Sequence, residues 1–300
     1  MNRKPDFIVV GAAKSGTTFL YNLLLEQPDI FIPDIKECRY FSQLPKDYVG
    51  LGAEFFVNQG VTNQDEYFRL FEGKNNYICG DVSNDYLYYH SRSIENIKKQ
   101  LGNSVKIIII LRNPTERAFS NYMHHIRDGW ENITFEKALA LEEKRISEKW
   151  GWSYHYYNTG LYFDQVKNYI ENFKNIKILL YEDLKQPDKI NEIFTFLNTE
   201  KKDTNLNKKY NVSGKPKFRF IHDFINKKNL FKTLIIYTLK PILSAKLKDK
   251  AINLLDKIKN KNLVRLEIED KTKKYLIESY KSEIIKLSKL IDRDLTGWLK

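Results

Sequence analysis

Short apolar runs alternate with amphipathic stretches through the first two thirds of the chain. Residues 7–10, 105–111 and 176–181 are rich in branched and aliphatic side chains, which is typical of strands buried on both faces. Helical spacing follows the first run until Gln27-Pro28, where the proline ends the helix. Further helical patterns cover about 115–127, 134–149, 161–173 and 187–198. The alternation predicts an α/β domain with a mainly parallel sheet covered by helices.

The last third of the chain has a different pattern, helical and basic. Its apolar residues recur every three or four positions towards the end: Leu276, Tyr280, Ile284, Leu287, Ile291 and Leu295. This stripe predicts a terminal helix that docks on the body of the protein. We therefore predict one domain over 1–300, with a core over about 5–200 and a helical, basic C-terminal elaboration over about 201–300.

The composition excludes several classes of protein. With 42% hydrophobic and 29% charged residues in 300, the chain is neither fibrous nor disordered. Two cysteines, Cys38 and Cys79, are too few for a disulfide framework and lack metal-ligand spacing. We see no secretory signal and no run long enough to span a membrane. These features predict a soluble, cytoplasmic protein.

The net charge of +12 is unevenly distributed. Residues 201–300 hold 26 Lys and Arg against 11 Asp and Glu. This asymmetry favours an anionic partner for the C-terminal third: a phosphorylated cofactor, an acidic acceptor, a membrane face or nucleic acid. A lysine-rich, solvated helical surface explains the same charge equally well.

The segment between the first strand and the first helix is the most informative. It reads Gly11-Ala12-Ala13-Lys14-Ser15-Gly16-Thr17-Thr18, so small residues allow backbone N–H groups and a helix N-terminus to approach an anion. The spacing of the glycines equals that of a P-loop, but Lys14 precedes the second glycine, whereas the P-loop lysine follows it. A lysine inside the loop suits a group that leaves from a 5′-phosphate. The alternative is a glycine turn that only closes a βα unit.

A second anion site is predicted after the strongest strand pattern. Arg112 follows that strand and Ser120 lies two helical turns into the next helix. Ligands bind at the carboxyl ends of strands in open α/β sheets, and a guanidinium suits a bidentate phosphate contact. We interpret Arg117 as a surface or ion-pairing residue. Two anion sites fit a bisphosphorylated nucleotide better than a triphosphate, although an arginine in this place can also make only a helix-terminus salt bridge.

These two segments resemble the phosphate-binding motifs of sulfotransferases that use 3′-phosphoadenosine 5′-phosphosulfate (PAPS), in particular the carbohydrate (heparan-sulfate type) and bacterial branch. The resemblance implies a three-layer, P-loop-like α/β domain that releases 3′-phosphoadenosine 5′-phosphate (PAP). It assigns Arg112 and Ser120 to the 3′-phosphate and needs no metal. The residues it assigns to the 5′-phosphosulfate are Ala13, Lys14, Ser15, Gly16, Thr17 and Thr18.

A third basic segment resembles a loop that closes over the 3′-phosphate in bacterial relatives. It covers 211–217 and nominates Lys215 and Lys217. Relatives often carry Arg and Ser after the proline, where this chain has Lys217 and Phe218, so a bidentate contact and a hydroxyl are lost. An exposed turn explains the segment equally well.

The catalytic base is predicted by a further resemblance. Residues 35–41 resemble the Glu-x-x-(Phe/Tyr)-Phe segment of carbohydrate sulfotransferases, which nominates Glu37 as the base and Lys14 as the group that neutralises the leaving phosphate. Lys36 assists at the sulfate or pairs with an acid. A solvated loop glutamate is the alternative for Glu37, and His124 or His125 is the rival base.

Acceptor contacts are nominated less specifically. Residues 80–86 occupy the place of an acceptor-site loop in relatives and supply Asp81, Ser83 and Tyr86. Tyr162 belongs to a Gly-x-Tyr segment that relatives share at the start of a helix. These four residues and Lys36 are the predicted substrate-binding group.

The sequence therefore predicts a metal-independent sulfotransferase acting on an acceptor hydroxyl, of a sugar or glycoconjugate, without a nucleic-acid partner. Peripheral membrane contact, the identity of the acceptor and the oligomeric state stay open. A P-loop kinase is the alternative enzyme, and it requires Mg²⁺ and an acidic metal ligand. The alternative from another class is a non-enzymatic basic module that binds nucleic acid or membrane and loses affinity steeply with salt.

Overall fold

The computed structural model describes residues 3–54, 58, 60–200, 215–217, 262–264 and 266–300. The strands are β1 (Phe7–Gly11), β2 (Ile30–Phe31), β3 (Ile78–Val82), β4 (Lys106–Leu111), β5 (Asn175–Leu180), β6 (Lys215–Pro216) and β7 (Leu263–Val264). The helices are α1 (Thr17–Leu25), α2 (Gln64–Arg69), α3 (His90–Leu101), α4 (Pro114–Asp128), α5 (Phe135–Ala140), α6 (Glu142–Ser147), α7 (Tyr162–Asn172), α8 (Pro187–Leu197) and α9 (Asp270–Ile291).

Five strands form one parallel sheet in the order β2-β3-β1-β4-β5. Phe7 of β1 stands opposite Gly80 of β3 and Lys106 of β4, so β1 and β4 start at the same level and β3 starts two residues earlier. The side chains of β1 and nearly all of those of β4 are buried, which explains why both strands appear in the sequence as apolar runs, whereas the edge strand β5 is half-buried over its first four residues. The predicted α/β class with a central parallel sheet flanked by helices is confirmed.

One face of the sheet packs against α1 and α8. Phe7 and Val9 of β1 and Ile108 and Ile110 of β4 belong to this core. The helices contribute Leu20, Leu23, Leu24, Ile190, Ile193, Phe194 and Leu197. The intervening strand residues are also fully buried and point to the opposite face, because side chains alternate along a strand. This rigid core fixes the edge at which the strands end.

Several elements were not predicted from the sequence, and two of the differences have a clear physical reason. The helical pattern over about 134–149 is divided between α5 and α6, which meet at Leu141. The strand β3 was not predicted, because Gly80 and Asp81 interrupt its apolar character. Gly80 lies beneath Phe7, and a Cβ there would come within 2.1 Å of the phenyl ring, so the close approach of the two strands requires glycine.

The terminal helix α9 packs on the body as its apolar stripe predicts. Leu276, Tyr280, Ile284 and Leu287 are buried. The Tyr280 hydroxyl donates to the carbonyl of Tyr157 at 2.7 Å, and their rings are stacked with centroids 4.6 Å apart. Beyond the helix, Arg293 makes a bidentate ion pair with Asp183, at 3.0 and 3.1 Å.

The chain forms two compact units. The first comprises Met1–Tyr122, Ile133–Asn211 and Ile268–Lys300, and the second comprises Met123–Asn132 and Val212–Glu267. The first contains the five-stranded sheet, and the second contains β6 and β7, which pair antiparallel. Residues 201–214 and 218–261, including most of the predicted C-terminal elaboration, lie outside the described residues, so the single-domain boundaries stay a prediction.

Candidate active site

The loop between β1 and α1 has the form of an anion-binding turn. Gly16 caps α1 with φ of +97°, and Lys14 also has a positive φ of 67°. A Cβ on Gly16 would come within 2.5 Å of Leu184 and 3.2 Å of Tyr181, so only glycine fits. The first N–H groups of α1, beginning at Thr17, have no partner within the helix and carry its positive dipole end. The loop therefore offers donors to an anion.

The second predicted anion site lies beside this loop. Arg112 follows β4, and its NH1 lies 3.3 Å from the carbonyl oxygen of Lys14. The guanidinium also pairs with Glu116, at 2.9 and 3.2 Å, and lies over the ring of Tyr181, 4.6 Å from the centroid. Ser120 is half-buried one helical turn beyond Glu116 on the same side of α4. The two phosphate motifs, nearly one hundred residues apart in sequence, thus meet at one edge of the sheet.

Two buried hydroxyls near this edge are incompletely hydrogen-bonded by the described residues. They are Ser15 Oγ in the loop and the phenol of Tyr162 at the start of α7. Burial raises the pKa of Tyr162, while Arg117, Ser15 and Arg112 oppose that effect. Ser15 and the backbone of Arg112 act on the Tyr162 phenol as hydrogen-bonding groups, so these polar groups converge at one edge of the sheet. Buried hydroxyls that are not fully paired among the described residues fit a site that a polar ligand completes.

The environment of Arg117 differs from the prediction. It was expected at the surface or in an ion pair, but it is fully buried and donates to the carbonyl of Tyr156. The position on the inner face of α4 explains its burial. Burial raises the pKa of Tyr162 and the pKa of Glu142, and the positive charge of Arg117 opposes this effect at both groups.

Glu37 lies in the segment after β2 and is 8% exposed. Its Oε1 accepts hydrogen bonds from Lys36 Nζ at 3.0 Å and from Asn84 Nδ2. Its Oε2 lies 3.7 Å from Arg39 NH2. Lys36 Nζ also reaches Thr18 Oγ1, at 3.4 Å. Through Lys36, the predicted base is therefore linked to the first turn of α1, so it is not a solvated loop glutamate.

A buried network holds the segment that carries Glu37. Asp81 accepts hydrogen bonds from the hydroxyls of Ser83 at 2.8 Å and of Tyr67 and Tyr86 at 2.9 Å. Ser83 Oγ accepts from the N–H of Arg39 at 3.1 Å, and the Tyr86 hydroxyl accepts from the next turn of the same segment. Burial raises the pKa of Asp81 against these hydrogen bonds. Asp81, Ser83 and Tyr86 are fully buried and support the base, and their predicted contact with the acceptor stays a prediction.

Two functional candidates, Asn84 and Asp85, were missed by the sequence analysis. Asn84 bonds Glu37, and the adjacent Asp85 is fully buried. Burial raises the pKa of Asp85 to about 7; Arg39 lowers it and Glu37 raises it further. The signal available in the sequence was a pair of polar residues directly beyond a strand, at the edge where ligands bind.

The other predicted residues lie in the second unit. Lys217 is exposed, and its N–H donates to the carbonyl of Asn262 at 2.7 Å. Lys215 stands in β6, and nothing further of its side chain is described. His124 Nε2 lies 3.4 Å from Asp128, and His125 is buried. Their proposed roles in donor binding or catalysis stay predictions.

Among the residues that the structure describes, no helix combines the length and apolar character that crossing a membrane needs. Within the same part of the chain, no group of three or more His, Cys, Asp or Glu side chains is arranged to hold a metal ion.

Comparison with known proteins places the chain. The sulfotransferase domain family matches residues 4–217. The crystal structure of a sulfotransferase from Alicyclobacillus acidocaldarius is 27% identical, with a TM-score of 0.76, and the match covers 99% of this chain and 100% of that one.

Curated relatives match over shorter stretches. Membrane-associated sulfotransferase kil1 of Dictyostelium discoideum is 32% identical over 123 residues, which is 41% of this chain and 23% of the relative. Human bifunctional heparan sulfate N-deacetylase/N-sulfotransferase 3 is 24% identical over 192 residues, 60% of this chain and 20% of the relative. The match thus spans less than a quarter of either relative.

The family match covers most of the chain, and both phosphate motifs and Glu37 lie within it. The chain therefore belongs to the sulfotransferase domain family, within the superfamily of PAPS-dependent sulfotransferases.

Proposed function

We propose that this protein transfers a sulfuryl group from PAPS to an acceptor hydroxyl of a carbohydrate or glycoconjugate. The observation that carries the proposal is the contact of Arg112 NH1 with the Lys14 carbonyl, at 3.3 Å. Because this contact joins the two predicted anion sites, both lie within reach of one adenosine bisphosphate. Family membership supports sulfuryl transfer, and the heparan sulfate relative supports a sugar acceptor.

The residues at this edge fit the donor. The N–H groups of the loop and of the first turn of α1, with Thr17 and Thr18, hold the 5′-phosphate. The buried hydroxyls of Ser15 and Tyr162 supply further donors. Arg112 and Ser120 hold the 3′-phosphate. To bind it, the Arg112 guanidinium gives up its ion pair with Glu116. When bound, PAPS supplies the sulfuryl group and a phosphate leaving group.

The catalytic roles follow from position. Lys14 stabilises the negative charge that develops on the departing phosphate, a type of stabilisation that is strong where water is excluded. Glu37 takes the proton of the acceptor hydroxyl as general base. Lys36 bonds both Glu37 and Thr18, and it thereby fixes the base relative to the first turn of α1. Holding both reactants in line contributes a large share of the acceleration.

The cellular location is part of the proposal. Cys38 and Cys79 are buried, free thiols, which supports a reducing compartment such as the cytoplasm. Expression of a tagged full chain followed by fractionation of the cells tests this location, and recovery of the protein with membranes or in the medium contradicts it.

Calorimetry tests the donor. The full chain is titrated with PAP and with ATP, both in EDTA, and we expect tight binding of PAP alone. Arg112→Ala and Lys14→Ala should weaken PAP binding at least tenfold. Lys98→Ala is a matched control, since Lys98 bonds Asn172 on the helical surface. Equal binding of ATP, or PAP affinity that survives both site variants, contradicts the proposal.

An assay with labelled PAPS tests the acceptor class. Sulfated product from a panel of oligosaccharides, with none from phenols or steroids, is the expected result. Turnover confined to phenols contradicts the carbohydrate assignment, and turnover confined to the amino group of a sugar contradicts the hydroxyl; either result leaves the donor assignment intact.

A further inference from the structure

The two oxygens of the Glu37 carboxylate have different surroundings. Oε1 receives two hydrogen bonds, from Lys36 Nζ at 3.0 Å and from Asn84 Nδ2. Oε2 is buried and receives no hydrogen bond from the described residues; Arg39 NH2 is 3.7 Å away. Two hydrogen bonds to one oxygen fix the orientation of the carboxylate, and the bond from Asn84 comes from outside the segment that carries Glu37.

The backbone around Asn84 is fixed by the central strand. The N–H of Ser83 donates to the carbonyl of Val9 at 3.1 Å, and the N–H of Leu87 donates to that of Val10 at 2.7 Å. These bonds place Asn84 against Gly11, where an added Cβ would come within 3.1 Å of the Asn84 carbonyl oxygen. Asn84 is thus anchored to the strand that leads into the donor loop.

We infer that Asn84 is a positioning residue that, together with Lys36, holds Oε1 of Glu37 and so fixes the orientation of the carboxylate that takes the proton of the acceptor hydroxyl. The inference rests on the proposed function. In the step, the acceptor O–H bond breaks and its proton moves to the Glu37 carboxylate. The oxygen's electron pair forms the new S–O bond, and the bond from sulfur to the bridging oxygen breaks, with its pair leaving on the 5′-phosphate.

The other ionisable groups near Glu37 do not replace Asn84. Lys36 shares its bond with Thr18, and Arg39 approaches the opposite oxygen. The Asp85 carboxyl and the Cys38 thiol also interact with Glu37 electrostatically, and burial raises the pKa of both. Asn84 is therefore the neutral donor among them, so its bond orients the carboxylate at every pH in the working range.

The test compares variants of the full chain. We expect Asn84→Ala to lower kcat by about 10- to 100-fold, with the KM for PAPS and the affinity for PAP unchanged. The carboxylate loses a hydrogen bond that favours its charged form, so the acid limb of the kcat/KM profile moves to higher pH. Asn84→Asp replaces the donor with a second carboxylate and should move the limb further.

Asn172→Ala is the matched control, because Asn172 is also half-buried, donates to a carbonyl and accepts from Lys98. Its kcat and pH profile should equal those of the parent. An unchanged kcat and acid limb in Asn84→Ala overturns the inference. So does a loss of PAP affinity that matches the loss of kcat, because that indicates a structural role.

A second measurement is independent of turnover. In protein with ¹³C-labelled glutamate, the carboxyl signal of Glu37, assigned with Glu37→Gln, should shift in Asn84→Ala and stay in place in Asn172→Ala. An unmoved signal overturns the inference even if the protein is an active sulfotransferase. A parent chain that binds no PAP and transfers no sulfuryl group defeats the proposed function, whereas the Asn84 contact is still judged by this signal.

Discussion

The donor side and the base side of the candidate site differ in the chemical groups that form them. On the donor side, the loop from Gly11 to Gly16 and the start of α1 present backbone N–H groups, and Arg112 adds one guanidinium. On the base side, Glu37 is held by Lys36 and Arg39 of its own segment and by Asn84 beyond β3, with the buried Asp81 supporting that segment through Ser83. The strand–turn–helix arrangement by itself positions the backbone N–H groups. The hydrogen-bond network around Glu37, in contrast, requires each of its side chains.

This difference predicts how each side fails. A substitution on the donor side removes one of several donors to the same anion, so binding weakens by steps. On the base side, removal of one member leaves buried partners without hydrogen bonds, and both geometry and stability are lost together.

Loss of the base should have the largest effect on the chemical step. We expect Glu37→Gln to lower kcat by about 10²- to 10⁴-fold, since the amide cannot accept the proton but keeps the shape. PAP affinity, measured by calorimetry, should stay within twofold of the parent. A large loss of affinity would indicate that Glu37 shapes the donor site and would remove the contrast.

Loss of the loop lysine should act on both binding and chemistry. We expect Lys14→Ala to lower kcat by about 10²- to 10³-fold, because the leaving phosphate loses a preorganised positive charge. PAP affinity should fall as well, unlike in Glu37→Gln. Steady-state kinetics beside calorimetry separates the two, and an unaltered kcat contradicts the role of Lys14.

Asp85 should make stability depend on pH. Its pKa is about 7 in the folded protein against an ordinary 3.8, so the folded state holds the proton more tightly than the unfolded state. The cost of the buried charge is absent below about pH 4, grows as pH rises and is complete above about pH 7, up to about 4 kcal/mol. Urea unfolding at several pH values should show this fall, and Asp85→Asn should reduce it.

A parent chain whose unfolding free energy is constant from pH 4 to 8 contradicts the prediction for Asp85. Asp47→Asn is the control, because that carboxyl is exposed and pairs with the exposed Lys149. Its curve should follow that of the parent.

Asp81 should have a smaller effect on stability and one that is transmitted to the base. Asp81→Ala leaves three buried hydroxyls without their acceptor, and we expect a loss of about 1–3 kcal/mol in the free energy of unfolding. Since Ser83 bonds the Arg39 N–H, kcat should fall at temperatures where the variant is fully folded. Unfolding curves and kinetics check both, and unchanged stability contradicts the supporting role.

The sequence predicted the donor side better than the base side for a physical reason. The apolar runs of β1, β4 and β5 and the loop around Lys14 are local patterns, and parallel strands bring their ends to one edge. Arg112 and Lys14 could therefore be paired without coordinates. The docking of α9 followed from one stripe of apolar residues for the same reason.

The rest depends on contacts between distant segments. Asn84 and Asp85 carry no pattern of their own, and only the pairing of β3 with β1 brings them to Glu37. Arg117 was expected at the surface because arginine is seldom buried, yet the inner face of α4 encloses it. β3 was not predicted, because the glycine at position 80 is required by the close approach of the Phe7 ring, and no local sequence pattern indicates that contact.

One aromatic ring lies beside both predicted anion sites. The guanidinium of Arg112 lies over the Tyr181 ring, and a Cβ on Gly16, at the start of α1, would come within 3.2 Å of the same ring. Tyr181 therefore borders both predicted sites. In a double-mutant cycle, Tyr181→Ala and Arg112→Ala should lower nucleotide affinity by amounts that are not additive. Through this single aromatic side chain, binding of one phosphate of the nucleotide would raise the affinity of the protein for the other phosphate.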